Sequence, residues 1–180
     1  TKYGIEEVSV DAIVEEAEVS KGTFYVHFES KDALIALLVS DYVDRIDLDY
    51  KMYFDKIPSD ASSKDIILSF IEKIFDMIVG TIGLEKIKIL YKLQLNRSGH
   101  AQAAASYNRA LYDLLTGVFE RGIQRGDFKT SLPVDELARH FILAMRGLTY
   151  EWCIRYPDFD IKEQANAHFK ILLAGIKNEG

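Results

Sequence analysis

The sequence predicts an all-α fold, and three observations carry that prediction. Only three prolines occur, Pro58, Pro133 and Pro157, and each falls between segments of helical apolar periodicity, where helices end. From Ala33 onward, apolar residues recur at helical spacing. Within residues 9–31, SVDAIVEEAEVSKGTFYVHFESK, three helix-start signals follow one another. The 180 residues, 48% hydrophobic, suffice for one medium domain with a small appendage and a sizeable core.

The first start has Ser9 as N-cap, Asp11 in the first turn, and Val8 placed to staple against Ile13. This helix is expected to run to about Ala17, with Glu18 and Val19 as the turn. The second start has Ser20 as N-cap and Val19 stapled against Phe24. At about 100° per residue Phe24 and Phe28 share a stripe that must be buried. Gly22, Thr23 and Val26 then face outward, flanked by Tyr25 and His27. Two short helices at a tight turn are the pattern of a DNA reader.

Glycine at the second helical position costs about 0.8–1 kcal/mol, so Gly22 needs a reason, and close approach of backbone to a partner supplies one. Lys21 and Lys31 each follow a capping serine, where a cation opposes the helix dipole by about 0.3–1 kcal/mol unless an anion lies nearby. A polyanion passing both helix starts would relieve both, and DNA is such a partner.

After Ser30 a third helix takes Ala33, Leu34, Leu37, Leu38, Val43 and Ile46 as its stripe and reaches Tyr50 or beyond, long enough to connect two domains. A loop over residues 58–63 precedes a helix burying Ile67, Phe70, Ile71, Ile74, Phe75 and Ile78, ended by Gly80 and Gly83. Helices follow over about 84–96 and 102–125, the latter with Tyr107, Leu111, Leu114, Leu115, Val118 and Phe119 inward. The last pair, 133–155 and 161–177, is joined by Tyr156-Pro157-Asp158-Phe159-Asp160 and reads as an antiparallel hairpin. Its stripes are Leu137, Phe141, Met145, Leu148 and Trp152 on one helix, and Ile161, Ala165, Phe169, Leu172, Leu173 and Ile176 on the other.

The net charge of −6 and pI near 5.3 exclude general coating of nucleic acid or of an anionic membrane, and leave specific DNA binding open. Residues 1–35 hold three lysines against eight acids, a balance of −5, so either the acids point away from a duplex or residues preceding the sequence are expected to compensate. The longest apolar run, residues 33–39, is far short of a membrane span, and no secretory signal opens the chain. The lone Cys153 permits no internal disulfide, which suits a reducing compartment, so the expected location is the cytoplasm. Nucleophile, phosphate-loop and zinc motifs are absent, and Glu136 and His140 stand four apart where a di-iron bundle needs three. Neither enzyme activity, nor a cofactor, nor a metal is expected.

The run Ser20-Lys21-Gly22-Thr23-Phe24-Tyr25-Val26-His27-Phe28-Glu29-Ser30-Lys31 resembles the helix-turn-helix signature of the TetR/AcrR family of transcriptional regulators. The resemblance implies a homodimeric, ligand-responsive DNA-binding regulator, a repressor by preference, acting on a double-stranded operator and answering a small-molecule effector. It implies a helix-turn-helix domain over 1–45 and a helical ligand-binding and dimerisation domain over 46–180. Lys21, Gly22 and Val26 would stand closest to base edges. Ser9, Ser20, Thr23, Tyr25, His27 and Lys31 would hold phosphates, with Val10 giving a backbone N–H. The family's first helix precedes the equivalent of Gly4, so the sequence is expected to open inside it.

The last two helices would pack on their two-fold mate as a four-helix bundle, matching half-sites about 34 Å apart. Phe75, Met77, Tyr91, Tyr107, Tyr112, His140, Met145 and Trp152 would line the effector pocket, although aromatics at helical spacing also serve as plain core. A helical small-molecule-binding or protein-interaction module without DNA binding stays open as the alternative.

Overall fold

The computed structural model describes residues 8–58, 60–96 and 110–176, with backbone alone at 36, 39, 40 and 42–44. The regular structure among them is helical: α1 (Val10–Glu16), α2 (Lys21–His27), α3 (Lys31–Phe54), α4 (Ser63–Met77), α5 (Leu84–Leu95), α6 (Ala110–Gln124), α7 (Val134–Arg155) and α8 (Ile161–Ala174). A π-helical turn, Ile78–Ile82, follows α4. The chain divides into two compact units, Thr1–Arg45 with Gly83–Ser106, and Ile46–Ile82 with Tyr107–Gly180. The division expected from sequence shares the cut after residue 45, whereas residues 83–106, expected in the larger domain, group with the first unit.

In the first unit each of the three start signals is a working cap. Ser9 Oγ accepts from the Ala12 N–H at 3.1 Å, Ser20 Oγ from Thr23 at 3.0 Å, and Ser30 Oγ from Ala33 at 3.1 Å. Helix α1 ends in a Schellman motif: the Glu18 N–H bonds to Glu15 O and the Val19 N–H to Val14 O, with Glu18 at φ 53°. A glutamate thus occupies the left-handed position that glycine adopts at no steric cost, and the tightness of the α1–α2 turn depends on it. Val14 and Phe24 are buried where α1 meets α2. The start of α3 is tied to α5 by Asp32 and Lys92, 3.3 Å apart.

In the second unit α4 packs on α6 and α8, and α7 on α6 and α8. A relay of rings runs through this core: Phe128, Phe119, Phe141 and Phe169, with successive centroids 5.9, 4.8 and 5.7 Å apart. Gly122 lets α6 come close, since a Cβ there would stand 2.3 Å from the Phe128 ring and 2.9 Å from Ser63 Cβ. Arg121 and Arg125 donate to Ala61 O at 3.1 and 3.3 Å and pin the loop before α4.

Two boundaries differ from expectation. Gly80 and Gly83 do not simply end α4: the π-helical turn carries the chain past Gly80, and Gly83, at φ 83°, becomes the N-cap residue of α5. The helix expected over 102–125 is described from Ala110, its earlier part lying outside the described residues.

The hairpin stripes also need correction. Leu137, Phe141, Met145 and Trp152 on α7, with Ile161, Ala165, Phe169 and Leu173 on α8, are all 5% exposed or less within the single chain. These eight are its own core and are not open to a second copy, whereas Leu148, Leu172 and Ile176 of the same stripes are half-buried. The outward face of α7 instead carries Leu143, Gly147, Tyr150 and Ile154, spaced four, three and four residues apart and all exposed.

Candidate nucleic-acid interface

Helix α2 is two turns long, and its position is set from behind. Phe24 is 5% exposed, and its ring lies 5.2 Å from Tyr25, edge to face, and 5.4 Å from Phe28. Opposite that anchor, about 180° around the helix, stands Val26 at 80% exposure, with Gly22 and Thr23 beside it. Tyr25, 54% exposed, and His27, also exposed, lie at the two flanks. The face expected to point outward does so.

Gly22 adopts ordinary helical backbone, and the nearest atom to a Cβ placed there is Ser20 Oγ at 3.5 Å, an ordinary contact. Nothing within the described chain requires glycine at a place where alanine would raise helix propensity by about 0.8–1 kcal/mol. Close approach of a partner's surface to the helix backbone at that point is one demand that glycine meets.

The lysines behave differently from expectation. Lys21 Nζ sits 2.6 Å from Asp11 Oδ1, and this hydrogen bond, followed by the carboxylate's charge, holds its pKa above the ordinary lysine value. Lys31 Nζ donates to Val8 O at 3.0 Å across 23 residues. Both cations therefore have partners inside the chain, and the dipole argument for an external polyanion loses force at each. Lys21 lies toward the Phe24 side of α2, turned to α1 and away from Val26. The Lys21–Asp11 pair is exposed on both sides, 55% and 70%, so water and salt screen it and a phosphate can compete for the ammonium.

Ser9 and Ser20 spend an oxygen on capping, and Ser20 Oγ also shares a 2.9 Å hydrogen bond with Thr23 Oγ1. Val10 is the first residue of α1, where backbone N–H groups have no partner within a helix. Two of the acids that make this segment negative, Asp11 and Asp32, are paired to Lys21 and Lys92.

The residues expected to line one effector pocket are scattered. Phe75, Tyr112, Met145 and Trp152 are buried, and Met77 and Tyr91 half-buried. His140 is exposed on the outward side of α7, so it lines no interior cavity, and Tyr107 lies outside the described residues. Two clefts open in the second unit. One, of about 320 Å³, takes Leu68, Ile71 and Phe75 from α4 and Lys162, Ala165 and Asn166 from α8. The other, of about 460 Å³, includes Val79, Trp152, Tyr156 and Phe159. Phe75 and Trp152 thus belong to different clefts. Lys162, which sequence reasoning passed over, borders both and pairs with Asp76; that hydrogen bond raises its pKa.

Among the described residues no group of three or more His, Cys, Asp and Glu could hold a metal, and no helix is long and apolar enough to cross a membrane.

Residues 1–38 match the model of a family described as bacterial regulatory proteins, tetR family. Over 184 residues the chain is 27% identical to the fatty acid metabolism regulator protein of Bacillus subtilis (strain 168), covering 98% of this chain and 89% of that one. Among solved structures, the transcriptional regulator FadR from Bacillus subtilis in complex with stearoyl-CoA superposes with a TM-score of 0.71 at 21% identity, over 96% of this chain and 91% of that one. FadR of Thermus thermophilus, a TetR family transcriptional repressor in complex with lauroyl-CoA, gives 0.72 at 17% identity, over 97% and 87%. Residues 1–38 thus carry the pattern of the tetR family's regulatory proteins, and along its length the chain shares the helical fold of these regulators.

Proposed function

We propose that this chain is a homodimeric, cytoplasmic repressor that reads a duplex operator with the outward face of α2 and is released from it by a long-chain acyl thioester. The observation that carries the DNA reading is the pairing of an exposed Val26 with a Gly22 where, among the described residues, nothing crowds a Cβ. Gly22 and Val26 stand nearest base edges, with Lys21 at the helix tip. Ser9, Ser20, Thr23, Tyr25, His27 and Lys31 face phosphates, and Val10 offers its N–H. The two-fold contact uses the outward face of α7, Leu143, Gly147, Tyr150 and Ile154, together with Ile171 of α8, 71% exposed. Effector binding and dimerisation fall beyond residue 45.

The effector class is supported by the FadR relatives, two of which hold acyl-CoA molecules. The apolar part of the clefts, Leu68, Ile71 and Phe75 in one and Val79, Trp152 and Phe159 in the other, suits an acyl chain, while the rim mixes Lys162, itself paired with Asp76, with Glu72, Glu163 and Asp160. Release requires the ligand to bind one separation of the two heads more tightly than the other.

The test is an operator selected from random duplexes, titrated across salt and then with lauroyl-CoA and stearoyl-CoA. The expected result is a steep fall of log K with log salt and loss of the complex on adding either thioester. A slope near zero contradicts the DNA reading. A steep slope untouched by both thioesters contradicts the effector class alone.

A further inference from the structure

The centre of the reading face is apolar. Val26 projects an isopropyl group at 80% exposure, Gly22 offers only hydrogens, and the Thr23 hydroxyl shares a 2.9 Å hydrogen bond with Ser20 Oγ at the edge of the face. Lys21 leans on Asp11, and Tyr25 and His27 occupy the flanks. A face built this way has no hydrogen-bonding group at its middle with which to read a base edge. In the major groove the edges of the four base pairs display donors, acceptors and one apolar group, the C5-methyl of thymine. An exposed valine beside a glycine that lets the backbone close in is complementary to that group and to none of the others.

We infer that Val26 is a specificity-determining residue that reads a thymine methyl, so that each operator half-site holds a thymine opposite the middle of α2. The inference rests on the interface reading above and adds the base that the face selects. Binding removes both the methyl and the isopropyl group from water, and that burial supplies the discrimination.

The experiment replaces each thymine of the selected operator in turn with deoxyuridine, which deletes the methyl and keeps every donor and acceptor. Affinities of the full chain and of Val26→Ala are compared. At one thymine per half-site the wild-type chain is expected to lose affinity about four-fold, the roughly 0.8 kcal/mol of one buried methylene-sized group. In Val26→Ala the same replacement has an effect below about two-fold, because the methyl has lost its partner. Val26 is 80% exposed, so an unchanged circular dichroism spectrum and melting point are expected for the variant. Uracil tolerated at every position, or penalised equally in both proteins, overturns the methyl contact while leaving the interface standing. A chain that prefers no duplex over random DNA overturns the interface itself and the contact with it.

Discussion

Helices α2 and α7 both carry exposed apolar side chains on the face opposite their buried stripe, yet the two faces have different companions. On α2 a single valine is accompanied by glycine, hydroxyls, an imidazole and a lysine, a surface suited to a charged groove. On α7 Leu143, Tyr150 and Ile154 form a continuous seam with Gly147 among them, a surface suited to another helix. The contrast teaches that exposure alone does not identify a partner; the polar groups at its edge do.

The largest effect expected from breaking this contrast comes from placing a charge in the α7 seam. Ile154→Asp should leave the chain folded and convert dimer to monomer in analytical ultracentrifugation. Operator affinity should fall roughly 10²-fold or more, because two linked heads bind far better than one. An unchanged sedimentation coefficient would move the two-fold contact elsewhere.

Behind both faces, Phe119→Ala removes a fully buried ring from the second unit and should lower unfolding stability in urea by about 3–5 kcal/mol. Gly122→Ala should cost about 1–3 kcal/mol, because its Cβ would meet the Phe128 ring at 2.3 Å. The smallest change in stability is expected in the head. Ser20→Ala deletes the cap of α2 and should cost about 1 kcal/mol, seen first as faster amide exchange at Thr23.

Legibility followed the range of the interactions. Caps and staples act within five residues, so Ser9, Ser20 and Ser30 could be read directly, as could the turn at Glu18. The partners of Lys21 and Lys31 could not: Asp11 and Val8 become neighbours only once the α1–α2 turn and the start of α3 are folded. In the second unit periodicity correctly marked Phe141 and Phe169 as buried but did not say against what, and the nearest candidate, a second copy, was the wrong one. The exposed apolar face was written at the same helical period, 143, 147, 150 and 154, as a second stripe on a helix whose first stripe had already been assigned. Pocket lining was least legible, because Phe75 and Trp152 border clefts that depend on how α4, α7 and α8 meet.

Gly22→Ala tests the central claim most directly, since the chain has room for the methyl group and a duplex pressed against α2 does not. Unfolding stability should hold or rise by up to about 1 kcal/mol, while operator affinity falls about ten-fold or more. Affinity that follows stability upward, or stays where it was, would mean that no partner approaches the helix there.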